Sequence, residues 1–176
     1  EQADATGRDR AIDNVATGLQ RLGEFAQSID RAVVIETHGD FSDSYLMRET
    51  MQRVQSHAVG VLWDTHHPWR FYDEDLPGTF GRLRPWVRHT HWKDSISTGR
   101  SQPGDSANDA AEQAHALMTG HRHADYVLFR EGEFPARECM SLLKQAGYDG
   151  WYSLEWEKMW HPEIEDPEVA LPLFPE

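Results

Sequence analysis

Apolar side chains recur along the chain with a helical period in some segments and in short unbroken runs in others. Between residues 8 and 29 they follow one another at spacings of three and four, which predicts an amphipathic helix with one apolar face. The positions are Ile12, Val15, Leu19, Leu22, Ala26 and Ile29. The next segment, residues 32–35, is short and rich in β-branched residues, which predicts a buried strand.

Three more apolar runs follow, and each of the four runs is closed by a polar side chain. The runs are 32–35, 58–63, 86–90 and 151–154, and the polar residues after them are Glu36, Asp64, His91 and Glu155. The intervals from Glu36 to Asp64 and from Asp64 to His91 are 28 and 27 residues, near the roughly 31 residues that one strand–helix unit takes in an eight-unit barrel. Strands that alternate with helices in this way predict a parallel α/β sheet.

Capping and turn residues mark two further helices. Ser42 and Asp43 predict the start of one of them. Its expected core contacts are Tyr45, Leu46, Met51 and Val54. Pro135 near the first turn and Gly147 just past the end predict the other helix over residues 135–146.

Residues 93–126 have a different composition, rich in Gly, Ser, Pro, Asp and Asn. Such a segment buries little surface, so we expect a loop or lid insertion there, with one short helix at about 107–118. The tail from residue 158 to 176 contains four prolines and is expected to wrap a surface rather than to form core.

The charge of the chain limits its partners. The 176 residues carry 17 Lys and Arg against 30 Asp and Glu, a formal net charge of −13, and so acidic a surface is a poor match for a phosphate backbone. We find neither an apolar run of membrane-spanning length nor the pattern of a signal peptide, which predicts a cytoplasmic protein without a membrane partner. The single cysteine, Cys139, excludes an internal disulfide and is expected as a buried thiol on a helix.

The four strand-end residues carry the chemistry. In parallel α/β folds the carboxyl ends of the strands converge on the active site. Three carboxylates gathered there would repel one another unless a cation held them, so Glu36, Asp64, His91 and Glu155 form a plausible ligand set for one divalent ion. Carboxylates suit Mg²⁺ or Mn²⁺, and the imidazole admits Co²⁺, Fe²⁺ or Zn²⁺. The alternative is that these residues are strand-end caps and surface ion pairs.

Four short segments resemble those of a known family. They are Ile35-Glu36-Thr37-His38-Gly39, Trp63-Asp64-Thr65-His66-His67, His89-Thr90-His91-Trp92-Lys93-Asp94 and Tyr148-Asp149-Gly150-Trp151-Tyr152-Ser153-Leu154-Glu155. In this order they resemble the xylose-isomerase-like barrel superfamily, and within it the sugar phosphate isomerase/epimerase group. The resemblance runs from about residue 10 to the end and implies an α/β fold of the (β/α)8 TIM-barrel type. Because a full barrel takes about 250 residues, residues 1–176 are expected to be its C-terminal half, the last four βα units.

The resemblance also implies site roles and a cofactor. Glu36, Asp64, His91 and Glu155 would bind one divalent metal ion (Mn, Co, Mg or Zn, with Mn favoured). Glu36 and Glu155 would be the catalytic pair, one removing a proton next to a carbonyl and the other returning one, through a metal-stabilised enediolate. His67, His38 and Lys93 would bind the substrate. For Lys93 an ion pair with Asp94 or another acid is an equal alternative.

Other polar residues are assigned more conservatively. His89 shares the strand parity of His91 and is expected as a core histidine, with an exchange of roles between the two as the alternative. Epimerases of the group tend to carry an arginine a few residues past the metal histidine, and Arg100 aligns only loosely with it. The remaining histidines are expected at the surface: His57, His115, His121, His123 and His161.

The expected function is that of a metal-dependent isomerase or epimerase of a sugar or sugar derivative. The alternatives are a lyase of the inosose or dehydroshikimate dehydratase type, and a non-catalytic domain that binds a sugar or a partner on the same fold. The apurinic endonuclease branch of the superfamily is disfavoured by the acidic charge. An open four-stranded sheet leaves apolar surface exposed, which predicts a homo-oligomer or pairing with an N-terminal half-barrel.

Overall fold

The computed structural model describes residues 2–97 and 124–174. The helices are α1 Gln2–Ser28, α2 Ser44–Gln52, α3 His67–Tyr72, α4 Leu76–Leu83, α5 Ala136–Gln145 and α6 Pro167–Ala170, with 3-10 turns at Gly39–Ser42 and Leu171–Leu173. The strands are β1 Val33–Glu36, β2 Val59–Asp64, β3 Val87–Trp92, β4 Asp94–Ile96, β5 Asp125–Val127 and β6 Trp151–Leu154. No helix within these ranges combines the length and the apolar character needed to cross a membrane.

The main sheet is parallel throughout, in the order β1-β2-β3-β6. Its four strands coincide with the four predicted apolar runs, so the parallel α/β prediction is confirmed. The register pairs Asp64 with His91 and His91 with Ser153. Because all four strands run in the same direction, their carboxyl ends lie along one edge of the sheet.

Helix α1 covers the sheet with a narrower face than its spacing predicts. Ile12, Leu19 and Ala26 are buried, but Leu22 and Ile29 are each 52% exposed, so these two are wrong as core positions. The buried line also passes through Gly23, where a Cβ would lie 2.5 Å from both Ser56 Oγ and Val59 Cγ2. The missing side chain of Gly23 lets the helix lie close to Ser56 and Val59, whereas its helix neighbour Leu22 faces solvent and Ile29 lies just past the helix end.

Helix α2 begins as predicted, because the Asp43 side chain accepts hydrogen bonds from the backbone N–H groups of Tyr45 and Leu46. Its core side is formed by Met47 and Met51, which are fully buried. Tyr45 was expected in the core but is 60% exposed. Its ring instead lies beneath the Arg82 guanidinium at 4.2 Å, a contact that an exposed aromatic residue can make.

Helix α5 also matches its prediction, with Pro135 at the N-cap and Gly147 just beyond the end at φ +70°. Cys139 lies on this helix and is buried, as expected. The tail continues the core more than its prolines suggest. Ala170 is buried, and Phe174 packs against the main hydrophobic cluster.

The two ends of the predicted insertion at 93–126 pair with each other. Strands β4 and β5 form an antiparallel ribbon with Asp94 opposite Val127. The residues between them, 98–123, lie outside the described part of the chain. This applies to the predicted helix at 107–118 as well as to Arg100, His115, His121 and His123.

The two faces of the main sheet differ in how well they are covered. On the helix side Val61, Trp63 and Trp92 are completely buried. On the opposite side, which carries the strand-end residues, Val34 and Leu62 are partly exposed and Trp151 is 75% exposed. The described helices therefore close one face and leave the other accessible.

Candidate metal centre

Four side chains from four parallel strands meet at the carboxyl edge of the sheet. They are Glu36, Asp64, His91 and Glu155, and one ligand atom from each lies within 4.8 Å of all the others. Residues that are far apart in sequence come together because their strands are adjacent and in register. The Glu155 N–H donates to the Trp92 carbonyl at 2.9 Å, which extends the β3–β6 pairing just far enough to bring the Glu155 side chain level with the site.

His91 stands between the two glutamates. Its Nδ1 is 3.0 Å from Glu36 Oε1 and 3.3 Å from Glu155 Oε2. Burial lowers the pKa of His91, but the close carboxylates of Glu155 and Glu36 outweigh it and raise the pKa to about 10. Burial raises the pKa of Glu155, but His91 and Lys93 hold it well below its usual range.

Asp64 is completely buried. Its Oδ1 accepts two backbone hydrogen bonds of 2.8 Å, from His66 N and His67 N at the start of α3, so one carboxylate oxygen is committed to holding the loop. Its Oδ2 lies 3.2 Å from Lys93 Nζ. Burial raises the pKa of Asp64 to about 7; the charge of Lys93 opposes this increase, and those of Glu155 and Glu36 add to it.

Lys93 brings a positive charge to the same place. Its side chain is 1% exposed, and Nζ lies 3.2 Å from Asp64 Oδ2 and 2.6 Å from both Glu155 Oε2 and Glu157 Oε1. Burial lowers the pKa of Lys93, but these acids, Asp64 foremost, raise it well above its usual value. Of the alternatives considered for Lys93, the structure shows an ion pair with acids, although not with Asp94.

His67 and His38 lie beside the ligand set. The His67 Nδ1 is 3.0 Å from the Thr37 carbonyl oxygen and its Nε2 is 2.9 Å from Lys93 Nζ. Since a carbonyl can only accept, Nδ1 carries the proton and Nε2 accepts from the lysine. His67 is fully buried, whereas His38 is partly exposed and packs edge-on against the His67 ring at 5.2 Å.

Two residues of this region were not recognised in the sequence. Glu157 is 8% exposed and contacts Lys93. His161, which was expected at the surface, is only 2% exposed and packs against the Tyr126 ring at 4.8 Å. Both lie in the segment after β6, where no apolar periodicity marks which side chains turn inward. One signal was available for Glu157: two residues past Glu155, an extended chain would project it to the same side.

His89 occupies the layer below His91, with Nε2 2.7 Å from Ser153 Oγ. Burial and the neighbouring His91 lower its pKa, with Glu36 opposing. Its hydrogen bond agrees with the expected structural role, although the residue is only partly buried.

The protein groups fit a divalent ion. Asp64 Oδ2 and Glu155 Oε2 are both buried, and neither accepts a hydrogen bond of acceptable geometry from a described residue. Lys93 Nζ lies 3.2 Å from Asp64 Oδ2 and 2.6 Å from Glu155 Oε2, close enough for an ion pair with each of them. Three carboxylates and one imidazole are a donor set that Mn²⁺, Mg²⁺ or Co²⁺ accepts.

The sequence model of the xylose isomerase-like TIM barrel family matches residues 2–171. The chain belongs to that family. Its curated relatives include inosose dehydratases from Lacticaseibacillus casei and Geobacillus thermodenitrificans. The first is 26% identical over 85% of this chain and 48% of its own length, and the second is 24% identical over 91% and 49%. The chain therefore spans about half the length of the curated relatives it matches.

Several solved structures share the fold. A xylose isomerase domain protein from Planctomyces limnophilus superposes with a TM-score of 0.63 at 19% identity, over 91% of this chain and 49% of its own. A D-allulose 3-epimerase from Methylomonas sp. superposes with a TM-score of 0.61 at 14% identity, over 93% of this chain and 48% of its own. A xylose isomerase-like TIM barrel protein from Mycobacterium smegmatis, solved in complex with magnesium, superposes with a TM-score of 0.55 at 20% identity, over 84% of this chain and 43% of its own. The parallel sheet thus matches about half of a TIM-barrel structure.

Proposed function

We propose that this chain supplies the metal-binding and proton-transferring residues of a divalent-metal-dependent lyase that dehydrates a sugar-like polyol ketone. The observation that carries the proposal is the convergence of Glu36, Asp64, His91 and Glu155 within 4.8 Å of one another. Three carboxylates brought this close need more positive charge than the single ammonium of Lys93 supplies, and a divalent ion held by them would lie at the open face of the sheet, where a substrate can bind.

The side chains divide the work by position. The ion would polarise the carbonyl and the neighbouring hydroxyl of the substrate, which makes the adjacent proton acidic. Glu36 ends β1 and Glu155 directly follows β6, the two outer strands of the sheet, so we expect them to approach a bound substrate from different sides. One takes the proton next to the carbonyl as a base. In the lyase the other, as an acid, protonates the β-hydroxyl, which leaves as water.

The lyase outcome is favoured over the isomerase outcome because the curated relatives are inosose dehydratases. The same proton abstraction followed by reprotonation would give an epimerase, and the family's solved structures include a D-allulose 3-epimerase. A sugar isomerase or epimerase is therefore the second candidate. Manganese is the favoured ion by its donor preferences, and a relative's magnesium complex supports a divalent ion of this kind.

Among the proposed substrate-binding residues, His38 is the most accessible. His67 and Lys93 contact each other at 2.9 Å and are buried, so they reach a substrate only if that contact opens. We propose His38 as the first contact of a substrate hydroxyl, with His67 and Lys93 behind it.

We further propose that residues 1–176 form the C-terminal half of an eight-unit barrel, with 93–126 as an insertion. The support is the accessible face of the sheet, where Trp151 is 75% exposed, together with the half-length match to full barrels. An N-terminal half-barrel or a second copy would cover this face. Sedimentation velocity tests the idea: a stable monomer at all concentrations, unchanged by an added N-terminal half from a relative, would contradict it.

The activity test has two steps. Isothermal titration of the chain with Mn²⁺ should show one site per chain. Incubation with an inosose in D₂O should then release one water per turnover for a lyase, or exchange one proton without loss of water for an epimerase.

Glu155→Gln should lower the turnover by about 10³-fold, and Glu168→Gln, at an exposed position, should leave it unchanged. Binding of the inosose without exchange or water loss in the wild type would favour a non-catalytic binding domain. Absence of Mn²⁺ binding would reject the proposal.

A further inference from the structure

The buried ammonium of Lys93 touches more partners than it has hydrogens. Four groups lie within 3.2 Å of Nζ: Asp64 Oδ2, Glu155 Oε2, Glu157 Oε1 and His67 Nε2. A lysine offers three donors, so every N–H already has a protein group to face.

These partners fall into two pairs. Asp64 Oδ2 and Glu155 Oε2 belong to residues of the proposed ligand set, and both are buried oxygens that accept no well-formed hydrogen bond from a described residue. Glu157 and His67 lie outside that set of four and form the hydrogen bonds that hold the ammonium, at 2.6 and 2.9 Å. Glu157 and His67 thus hold Lys93 in place, while Asp64 Oδ2 and Glu155 Oε2, next to the same ammonium, are oxygens that a divalent ion would also bind.

The two residues that hold the ammonium, His67 and Glu157, are themselves buried. His67 is fixed by the Thr37 carbonyl at its other ring nitrogen, and Glu157 is 8% exposed in the segment after β6. A lysine has four rotatable bonds, and only such contacts restrict it to one position.

We propose that Lys93 is a built-in counter-cation that sets the divalent-metal affinity of the site, with Glu157 as the residue that positions it. This rests on the proposed function to the extent that the four strand-end residues bind an ion. Lys93 lowers the repulsion between Asp64 and Glu155 and keeps the site assembled. It also opposes a second cation at the same oxygens, so it weakens metal binding.

The test measures Mn²⁺ affinity at a fixed pH, by calorimetry or by competition with a chelator, and the melting temperature of the chelator-treated protein. Lys93→Met should bind Mn²⁺ at least about tenfold more tightly than the wild type, and it should melt at a lower temperature when no metal is present. Lys144→Met is the matched control, because Lys144 is an exposed lysine at the end of α5. It should change neither quantity.

Glu157→Gln tests the positioning role and remains informative if Lys93→Met does not fold. Without its anchoring carboxylate the ammonium moves fully onto Asp64 and Glu155, so Mn²⁺ should bind severalfold more weakly, the opposite sign to Lys93→Met. In the Lys93→Met background the same change should have a much smaller effect, because Glu157 acts through the lysine. A purely structural residue would lower the melting temperature without this reversal.

The outcomes separate the two proposals. If neither the wild type nor any variant binds Mn²⁺, the proposed function is wrong. If the wild type binds Mn²⁺ and Lys93→Met binds it equally or more weakly, the counter-cation is wrong while the metal site stands. Equal affinities of Glu157→Gln and the wild type would likewise overturn the positioning role.

Discussion

Two buried aspartates at the carboxyl edge of the structure, Asp64 and Asp94, have almost the same exposure and opposite surroundings. Asp64 is 0% and Asp94 is 1% exposed. The Asp94 carboxylate accepts four backbone hydrogen bonds of 2.9 to 3.0 Å. The donors are Ser95, Arg130, Gly132 and Phe134. The Asp64 carboxylate accepts two, both on Oδ1.

The difference separates a structural carboxylate from one available to a cation. A buried carboxylate that accepts four N–H bonds has replaced its water and ties the segment 130–134 to β4. A buried carboxylate with one oxygen free of good hydrogen bonds remains costly unless a cation is near, and Lys93 is beside it. Burial by itself therefore identifies neither role, and the partners of each oxygen have to be followed.

The strongest test of this comparison removes the charge at Asp64. Asp64→Asn keeps an oxygen for the two N–H groups of α3 but removes the charged ligand, so Mn²⁺ should bind at least about 10³-fold more weakly, more than the 10–100-fold typical of residues that only support ligands. The free energy of unfolding without metal should fall by less than in Asp94→Asn, because the oxygen that accepts the two backbone N–H groups remains and Lys93 keeps its ion pairs with Glu155 and Glu157. Calorimetry and urea unfolding measure the two quantities, and a large loss of stability with unchanged affinity would invert the assignment.

The same change at Asp94 should give the opposite result. Asp94→Asn replaces an acceptor by an amide that faces N–H donors, and unsatisfied buried donors cost about 1–3 kcal/mol each. We expect a loss of about 3 kcal/mol in urea unfolding, with the Mn²⁺ affinity of the folded protein within about twofold of wild type. Each aspartate variant is the control for the other.

Gly132, which packs against Asp94 in space, allows a steric test of the contacts around Asp94. A Cβ on Gly132 would overlap Asp94 Oδ1 and lie 2.6 Å from the Ser95 carbonyl oxygen. Gly132→Ala should therefore lower the free energy of unfolding by about 1–3 kcal/mol. Gly81→Ala is the control, because nothing lies within 4 Å of that position in helix α4, and it should stabilise the protein by about 0.5–1 kcal/mol. Equal effects at both glycines would contradict the close approach at Gly132.

Glu74 is a third carboxylate, and its contribution to the free energy of unfolding should depend on pH. It accepts hydrogen bonds from Ser44, Thr79 and Arg82. Burial raises its pKa, but these bonds outweigh it and hold the pKa below the ordinary value of 4.5. Because the pKa of Glu74 is lower in the folded than in the unfolded state, Glu74 stabilises the fold fully when the pH is above its unfolded-state pKa. This stabilisation is lost as the pH falls through its folded-state pKa.

Glu74→Gln should therefore lower the free energy of unfolding by about 1 kcal/mol at pH 7. The difference from wild type should shrink as the pH falls below about 4.5. Urea unfolding across this range measures it, with the exposed Glu168→Gln as control. A difference that grows towards low pH would show that the carboxyl is better held in its neutral form.

Local patterns predicted the strands and the side chains that close them. An apolar run that ends at an acid or a histidine can be recognised as a buried strand and its end without knowledge of tertiary contacts, because adjacent residues encode both features. The helix starts at Asp43 and Pro135 were readable for the same reason. The exposed positions of Leu22 and Tyr45 were not, since they depend on how closely Gly23 and Arg82 approach from other elements.

The role of Lys93 shows where local reading stops. In the sequence its nearest acid is Asp94, but Asp94 turns to the backbone of 130–134 while Lys93 turns to Asp64, Glu155 and Glu157. Adjacent residues on an extended chain point to opposite sides, so the neighbour in sequence is the acid that the lysine does not meet.

The sequence by itself determined the α/β class, the four parallel strands and the identity of the residues at their ends, because strand burial and strand termination are local properties of the chain. Only the tertiary structure decided that the end groups meet within ligand distance, that Lys93 lies among them and that one face of the sheet stays accessible. Those facts depend on register and on contacts between segments as much as 119 residues apart, from Glu36 to Glu155, and no local pattern encodes a distance of that kind.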